Sequence, residues 1–334
     1  MPVLDENDNH LGEQTPLPID RDEQLATRAA WLYFVAGLTQ VQIAKKLGVN
    51  RIRVNRLLGQ ARDQGMVQIR ITGRLAECVA LEARLRETFG VSEAIVVPTP
   101  PDQALVHHVI AAAAGEALDR HLKDGMSVGV GWGRTLRLSM RSVPRRPMKR
   151  LEVVSLLGGL TRGSAMNPFE TATHLADLVG AQCYYIAAPA LAGSVAARDL
   201  LMEQPMIRDV LERARKVDLA FISVGALATN ATIQRLGLID NNEAESLRKH
   251  GAVGDLSVHW LNEQGEMVDH PLNNRAVTMP LDYLKDIPCV MIASGGKDKV
   301  SVLHGALRLN VVDVLVTDEV TAAGVLEIAE RRGP

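Results

Sequence analysis

The chain has 334 residues and a mass of 36.2 kDa, with 47% hydrophobic and 23% charged residues, which favours a small domain joined to a larger one and excludes wholesale disorder. The sequence lacks an apolar run of the roughly 18 residues that a membrane helix needs, and its first 25 residues are acidic and polar rather than signal-like, so we expect a cytoplasmic protein with no membrane contact. Cys78, Cys183 and Cys289 form no CxxC pair, which agrees with a reducing compartment and argues against a metal site.

Charge is distributed unevenly along the chain, although the net charge is only −2. Residues 1–20 contain five acidic residues and no Lys or Arg, and we predict a disordered acidic tail over residues 1–22. Residues 21–74 contain ten Lys or Arg against three acidic residues. A basic block on a mildly acidic body is typical of a module that binds a polyanion, although a solvated basic surface would show the same charge.

Helical periodicity and capping residues predict a helix-turn-helix domain over residues 23–73. The apolar stripe within residues 25–36 predicts a first helix that a glycine closes, with its aromatic residues packed inside. Thr39 and Gln42 have the spacing of a capping box, which starts the second helix, and Gly48 ends that helix. Two short helices around a glycine-containing turn are the basic helix-turn-helix unit.

A third helix is predicted after this turn, because Asn50 is a good N-cap and the pattern continues to Gln64. Its apolar residues fall on one side at about 100° per residue, so this side is expected to pack on the first two helices. These residues are Val54, Leu57, Leu58 and Ala61. Alternating apolar residues at 67, 69 and 71 then predict a strand, which would be the wing of a winged domain.

The opposite side of the third helix presents groups that read base edges. Arg can bridge guanine O6 and N7, Asn or Gln can pair with adenine, and Ile52 can lie against a thymine methyl. Arg51, near the start of the helix, is better placed for phosphate. The residues predicted to contact DNA are Thr39, Gln40, Asn50, Arg51, Ile52, Arg53, Asn55, Arg56 and Gln60. We therefore predict double-stranded operator DNA as a partner, with a protein-docking helical module as the alternative.

Residues 74–334 are predicted to form a larger α/β domain that binds an effector and oligomerises. Its first helix, over residues 75–89, is either a dimerising linker or part of the core. Short β-branched runs then alternate with helical stretches, which is typical of a largely parallel sheet with helices on both faces. The predicted strands cover residues 94–97, 126–130, 153–157, 183–187, 219–224, 289–293 and 312–316, and the clearest helices cover 105–122, 135–141 and 319–329.

Glycine clusters follow four of these strands. In open parallel sheets the ligand lies beyond the carboxyl ends of the strands, where glycine lets backbone amides approach it closely. A phosphate suits such loops, and Lys299 adds a positive charge in the last of them. The sequence contains neither a Walker motif nor a dinucleotide fingerprint, so we expect no nucleotide or other cofactor.

Four further residues have both a binding and a structural interpretation. Asp255 can accept sugar hydroxyls or cap a turn. Asn273 and Arg275 can hold a hydroxyl and a phosphate or belong to a solvated loop. Trp132, inside a glycine loop, can pack on a sugar face or plug the end of the sheet.

An ordered series of motifs resembles the SorC-type sugar-binding transcriptional regulators of bacteria over roughly residues 23–329. The motifs are GLTQVQIAKKLGVNRIRVNRLLGQARDQGMVQIRI, VGVGWGRTL, SLLGGLT, NPFETA, YYIAAPA, GAVGD and GGKDKVSVLHGAL. The resemblance implies a DNA-binding domain and an effector domain similar to ribose-phosphate isomerases and glucosamine-phosphate deaminases but without a catalytic role. It also implies a homo-oligomer, a dimer or a tetramer, and a phosphorylated sugar or polyol as effector.

The resemblance also implies which residues contact the effector, namely those at the positions that match the family's motifs. The implied contacts are Gly129, Gly131, Gly133, Thr135, Gly159, Asn167, Gly225, Asp255, Gly295, Gly296 and Lys299. The family lysine matches Lys299 or, less well, Lys297. The third helix with the predicted wing most resembles regulators of erythritol or other polyol catabolism, and the sequence leaves open whether the regulator is a repressor or an activator. A sugar-phosphate isomerase or deaminase with an accessory helical domain is the alternative, because fold alone does not decide function.

Overall fold

A computed structural model describes residues 21–63, 66–67, 75–160, 167–228 and 231–332. The predicted acidic tail up to residue 20 and the predicted wing beyond Val67 lie outside these residues. The chain divides into two compact units, residues 1–72 and 73–334. Within the described ranges, no helix is both long and apolar enough to cross a membrane.

The first unit contains three helices, α1 (Arg21–Phe34), α2 (Gln40–Leu47) and α3 (Arg51–Asp63). The predicted capping box is present, because the Gln42 amide donates to Thr39 Oγ1 at 3.4 Å and the Thr39 amide donates to Gln42 Oε1 at 2.9 Å. Gly48 ends α2 with φ of 67°, a conformation that favours glycine. Asn50 caps α3 by accepting the Arg53 amide at 2.8 Å. The helix-turn-helix prediction is confirmed.

The side of α3 that was predicted to be buried lies in the core of this unit. Its four apolar residues are almost fully buried: Val54, Leu57, Leu58 and Ala61. The expectation for the aromatic residues of α1 was wrong, since Trp31, Tyr33 and Phe34 are 57%, 39% and 39% exposed. Small alanines and one leucine form the buried stripe of α1, which lets the other helices approach closely: Ala26, Ala29, Ala30 and Leu32.

The second unit contains ten α-helices and ten strands within its described residues. The helices are α4 (Ala76–Phe89), α5 (Val106–His121), α6 (Arg134–Ser139), α7 (Pro168–Val179), α8 (Val195–Met202), α9 (Pro205–Ala214), α10 (Thr232–Arg235), α11 (Asn241–Lys249), α12 (Val300–Arg308) and α13 (Glu319–Arg332). The strands are β1 (Glu93–Val97), β2 (Ser127–Val130), β3 (Glu152–Ser155), β4 (Gln182–Tyr184), β5 (Leu219–Ile222), β6 (Val224–Ala226), β7 (Gly254–Leu256), β8 (His259–Leu261), β9 (Cys289–Ala293) and β10 (Val314–Asp318).

Seven strands form one sheet in the order β1-β10-β9-β5-β2-β3-β4, and every neighbouring pair is parallel. This confirms the predicted mostly parallel α/β fold. Strands β6, β7 and β8 form a small antiparallel sheet that the sequence analysis did not predict. All carboxyl ends of the large sheet therefore meet at one edge, where the glycine loops follow.

Alternation along the strands places apolar residues on both faces of the large sheet. In β5, Leu219 and Phe221 belong to one buried cluster, whereas Ala220 and Ile222 belong to another. Neighbouring residues of a strand point to opposite faces, so the two clusters are the cores under the two helical layers. Helix α4 contributes Cys78 to one of them and contacts β1 and α13, so it is part of the core of this unit.

Candidate functional site

A cavity lies at the carboxyl-terminal edge of the large sheet, where the chain leaves β2, β5 and β9. The space open to water in it is about 190 Å³. The loop after β2, the segment from β5 into β6, the antiparallel sheet and the loop after β9 all contribute to its wall. Its polar side chains are His107, Arg134, Ser223, Thr232, Arg235, Asp255, Asp298 and Lys299.

The structure brings five of the predicted effector residues to this cavity. They are Trp132, Gly133, Gly225, Asp255 and Lys299. They come from four separate segments, which the parallel topology places at the same edge. Trp132 is only 8% exposed, and it lines the cavity while packing against the core.

Asp255 is the buried acid of the cavity, with an exposed fraction of 1%. Burial raises the pKa of this carboxyl to about 6, while the Val258 amide and Lys299 act in the opposite direction. The Val258 amide donates to Asp255 Oδ2 at 2.9 Å, across a turn in which Ser257 and Val258 both have positive φ. Asp255 therefore caps a turn and also faces the cavity, as both of its interpretations require.

Gly225 makes room for this carboxylate. A Cβ atom at Gly225 would lie 2.2 Å from Asp255 Oδ1, far inside van der Waals contact. The two residues are partners in the β6–β7 pairing. Glycine is therefore needed at position 225 because the carboxylate occupies the space of a side chain.

Lys299 is a cation that lines the same cavity as Asp255. It ends a 3₁₀ turn, Lys297–Lys299, and its Nζ donates to Ser294 Oγ at 3.3 Å. Burial lowers the pKa of the ammonium group, and Asp298 and Asp255 raise it. Lys297 is exposed and does not line the cavity, so the structure places Lys299 and not Lys297 at the site.

The glycine pair after β9 serves the loop rather than the cavity. The Gly296 amide donates to Asp318 Oδ1 at 3.1 Å and to Thr321 Oγ1 at 2.8 Å, and its φ of 108° favours glycine. A Cβ at Gly295 would lie 2.3 Å from Asp318 Oδ1. Asp318 Oδ2 also accepts the Thr99 hydroxyl at 2.7 Å. These contacts fix the loop that carries Lys299.

Three other glycine positions predicted to contact the effector pack inside the protein. A Cβ at Gly129 would lie 2.6 Å from the Leu156 side chain, and one at Gly159 would lie 2.4 Å from the Phe169 ring. The Gly131 amide donates to the Phe221 carbonyl at 2.9 Å. Close packing of the sheet accounts for these glycines, and none of them lines the cavity.

Three predicted polar residues are held in loops away from the cavity. Asn167 caps α7 and accepts the Phe169 amide at 3.3 Å. Asn273 accepts the Trp260 amide at 2.7 Å. Arg275 donates to the Ala192 carbonyl at 2.8 Å and pairs with Glu243 at 3.2 Å. Their side chains are therefore engaged in protein contacts, and the structure does not bring them to the cavity lining.

His107 and two arginines line the cavity although the sequence analysis did not select them. His107 lies in the first turn of α5, and its Nδ1 is 3.2 Å from Oγ1 of the predicted residue Thr135, which is buried behind it. Burial, together with the nearby cations Lys299 and Arg134, lowers the pKa of this imidazole to about 4. A helix that starts after a parallel strand begins at the ligand edge, so this position was a signal that sequence reasoning could have used.

The first unit presents the predicted DNA-contacting side chains on its surface. Ile52 is 82% exposed, and Arg51 and Arg56 are also exposed. Gln40 accepts Arg51 Nε at 3.4 Å and donates to Asn55 Oδ1 at 3.5 Å, so it joins α2 to α3. Thr39 and Asn50 act as helix caps, and Gln60 is half-buried.

Arg53 was predicted at the DNA, but its guanidinium pairs with Asp22 at 2.7 Å. Asp22 was assigned to the disordered tail, whereas α1 begins at Arg21. This ion pair joins α1 to α3 at the surface, where such pairs contribute little to stability. Arg53 therefore has a protein partner that the sequence analysis missed.

The chain is similar to a known family model and to named regulators. Residues 73–327 match the family model "Putative sugar-binding domain". The chain is 31% identical over 309 residues to the erythritol catabolism regulatory protein EryD of Brucella abortus, covering 92% of this chain and 98% of that one. It is also 31% identical over 312 residues to the deoxyribonucleoside regulator of Bacillus subtilis, with 92% and 99% covered.

A solved structure shows the same fold across nearly the whole chain. The full-length sorbitol operon regulator SorC of Klebsiella pneumoniae superimposes with a TM-score of 0.72 at 24% identity, covering 92% of this chain and 100% of that one. These relatives and this structural neighbour are transcriptional regulators and not enzymes. The isomerase or deaminase alternative is therefore set aside.

Proposed function

Because the chain belongs to the SorC-type family of sugar-binding transcriptional regulators, we propose that it regulates a catabolic operon by binding operator DNA. A sugar-phosphate or polyol effector, bound in the cavity of the second unit, changes its affinity for this operator. The cavity carries this proposal. It combines a buried carboxylate, Asp255, with the cations Arg134, Arg235 and Lys299.

The chemistry of the cavity suits a small anionic carbohydrate. A carboxylate accepts hydrogen bonds from sugar or polyol hydroxyls, and Trp132 offers a flat apolar surface to a carbon chain. Three cations face two acidic residues, Asp255 and Asp298, so the lining favours a ligand with negative charge. Erythritol, deoxyribonucleosides and sorbitol occur in the names of the relatives, and we place the effector of this chain in the same broad class.

The first unit supplies the DNA-binding half of the function. Helix α3 is held by its buried side and presents its exposed, basic side to solvent. In helix-turn-helix proteins such a helix enters the major groove, and a dimer reads two half-sites about one helical turn apart. We propose that this protein acts as a cytoplasmic homo-oligomer, a dimer or tetramer, on a palindromic operator and that it works as a repressor.

A thermal-shift screen tests the effector assignment. Polyols and sugars of four to six carbons, with and without a phosphate, are added to the full chain, and a ligand at 100 times its Kd is expected to stabilise the folded state by about 2.7 kcal/mol. The stabilising compounds are then tested for their effect on binding to the upstream promoter DNA.

Two lysines of one loop make a matched pair for this screen. Lys299→Ala removes a cation from the cavity, and Lys297→Ala removes an exposed cation two residues away. We expect the first variant to lose the stabilisation by the effector and the second to retain it. The proposal fails if no carbohydrate changes either the unfolding temperature or promoter binding.

A further inference from the structure

Two blocks of opposite charge follow each other directly in the sequence. Residues 1–20, called the acidic segment below, contain five acidic residues and no Lys or Arg. Residues 21–74 contain ten Lys or Arg against three acidic residues, an excess of seven positive charges. The acidic segment therefore has enough negative charge to offset most of the positive charge of the helices that bind DNA.

An ion pair shows where the acidic segment joins the folded unit. Asp22, in the first turn of α1, pairs with Arg53 of α3 at 2.7 Å. Asp20 precedes Asp22 by two residues, so covalent geometry keeps their Cα atoms within about 8 Å of each other. The acidic segment thus enters the unit beside α3.

The arginine of this ion pair belongs to the side of α3 that faces solvent. Arg53 and Arg56 are three residues apart in one helix, which makes them neighbours on its surface. Both are exposed, and the Arg53 side chain keeps 50% of its surface accessible even in its pair with Asp22. A guanidinium group has five N–H donors, so Arg53 can bind a second carboxylate without losing the first.

The acidic segment is long enough to follow this side of α3 from end to end. Helix α3 has 13 residues and is therefore about 20 Å long, whereas 20 extended residues span up to about 70 Å. Because the segment is part of the same chain, it meets α3 at an effective concentration on the order of 1 mM. Its acidic residues are Asp5, Glu6, Asp8, Glu13 and Asp20.

On the basis of the DNA-binding function proposed above, we propose that the acidic segment occupies the exposed side of α3 and must leave before DNA binds there. Its carboxylates take the place of the DNA phosphates, because arginine binds both groups through the same charge-assisted hydrogen bonds. The Asp22 carboxylate already holds Arg53, a residue predicted to contact DNA, in this way. The chain therefore contains an internal competitor for its own DNA-binding helix.

The expected effect on DNA affinity follows from the fraction of chains in which α3 is uncovered. If the segment covers α3 in about nine chains of ten, the apparent affinity for DNA is about tenfold lower than without it. Salt screens the contacts that cover α3, since the Debye length falls from about 10 Å at 0.1 M to about 3 Å at 1 M. The effect of the segment is therefore expected to be largest at low salt.

The first experiment neutralises the acidic segment in the full chain, by changing its three Asp to Asn and its two Glu to Gln. A random-sequence duplex is the probe, because its binding depends on neither an operator nor an effector. At about 0.05 M salt we expect the neutralised chain to bind this duplex about three- to tenfold more tightly than the unmodified chain. Its affinity should also fall more steeply with salt, because no displaced segment takes up counterions when DNA binds.

A matched control neutralises five exposed acidic residues of the second unit, which changes the net charge equally. These residues are Glu87, Glu116, Asp177, Glu203 and Glu212. We expect the control to bind DNA nearly as the unmodified chain does. Equal gains in both variants would mean that net charge alone acts on DNA, and would overturn the inference.

A second experiment separates contact with α3 from long-range repulsion of DNA. A fluorescein-labelled peptide of residues 1–20 is titrated with the neutralised full chain, and its anisotropy is followed. We expect a Kd at or below about 1 mM, which gives at least half occupancy in the intact chain, and displacement of the peptide by the duplex. Arg56→Ala should weaken peptide binding, by up to about fivefold for one exposed ion pair. Arg28→Ala, which removes an exposed cation of α1, should not.

The outcomes distinguish failure of this inference from failure of the proposed function. If the neutralised and unmodified chains bind the duplex equally, or if Arg56→Ala and Arg28→Ala bind the peptide equally, the acidic segment does not cover α3, while DNA binding stands. If neither chain binds DNA at any salt concentration, the proposed function fails and the inference fails with it.

Discussion

Ionisation of the buried Asp255 carboxyl lowers the stability of the folded second unit. This carboxyl is almost fully buried and its pKa is raised from 3.8 to about 6, so the folded state disfavours the ionised form. Above pH 6 this cost is fully present, and it disappears as the pH falls below about 4, where the carboxyl is protonated in both states. A buried, perturbed acid in a cavity is typical of a functional site.

Asp255→Asn is therefore expected to stabilise the second unit at neutral pH. An amide oxygen can still accept the Val258 amide, while the penalty of a buried charge, on the order of 1 to 3 kcal/mol, is removed. Urea unfolding followed at pH 7.5 and pH 4.5 should show a gain at the higher pH that becomes clearly smaller at the lower one, because the cost disappears only below about pH 4. Asp298→Asn, at an exposed acid of the cavity, serves as control; equal destabilisation of Asp255→Asn at both pH values would contradict the argument.

Arg56 and Arg51 are expected to have different roles at the DNA, although both are exposed on α3. Arg56→Ala should reduce the preference for operator over random DNA by about 1 to 3 kcal/mol, because a base-reading guanidinium is lost. Arg51→Ala should weaken binding to both DNAs alike and reduce the salt slope by about one, because a phosphate contact is lost. Binding titrations at several salt concentrations separate the two, and equal losses on both DNAs for Arg56→Ala would rule out base reading.

Sequence reasoning found the part of the cavity that is encoded locally. Lys299 and Gly225 follow predicted strands, and the position of a loop after a parallel strand places it at the ligand edge. Arg235 lies on a short helix whose place depends on tertiary packing, so no local pattern identified it. Asn273 and Arg275 form a polar motif of the right composition, but loop hydrogen bonds and an ion pair occupy them, and composition cannot distinguish these uses.

At the scale of elements, buried parallel strands were the most predictable feature. All seven strands of the large sheet overlap predicted apolar runs, because a strand covered on both faces reads as a continuous hydrophobic segment. The match is weakest for the partly exposed edge strand β4, which shares only residues 183 and 184 with its run. The strands β6, β7 and β8 have three residues each and contain glycine, aspartate and histidine, so neither length nor alternation revealed them. Helix α1 was placed correctly and two residues of its predicted stripe, Ala29 and Leu32, are buried, but its aromatic rings are exposed, since short alanines bury better than aromatic rings where helices approach closely.

Helices α5 and α6 carry His107 and Arg134 to the cavity, and a glycine sets their separation. A Cβ at Gly115 of α5 would lie 2.2 Å from the Ser139 carbonyl oxygen and 2.7 Å from Ser142 Cβ. Because the first of these is backbone, it cannot rotate away, and one helix must move.

Gly115→Ala is therefore expected to destabilise the second unit by about 1 to 3 kcal/mol, despite the higher helix propensity of alanine. It should also weaken the stabilisation by the effector, since α6 forms part of the cavity wall. Thermal unfolding with and without effector measures both effects. Gly193→Ala, where a Cβ meets nothing within 4 Å, is the control, and equal unfolding temperatures of the two variants would refute the packing argument.

At the scale of the whole molecule, the two proposed functions belong to separate units with different charge. The DNA-binding segment, residues 21–74, carries an excess of seven positive charges, while the net charge of the chain is −2. Non-specific attraction to DNA is therefore concentrated in the first unit. The cavity proposed to bind the effector lies wholly within the second unit, so regulation of DNA binding through it requires a free-energy coupling between the two units.

Such a coupling must be reciprocal. If the effector lowers affinity for the operator by a given factor, the operator lowers affinity for the effector by the same factor, and couplings of about 1 to 3 kcal/mol correspond to roughly 5- to 150-fold. We expect the effector to bind more weakly to the full chain saturated with promoter DNA than to the free chain. Calorimetric titration of effector into both samples, with a scrambled duplex of equal length as control, measures the factor. The effector affinity could instead be identical with promoter, with scrambled duplex and without DNA. That result would show that the cavity does not govern DNA binding, because a ligand that binds two states of a protein equally cannot shift the equilibrium between them.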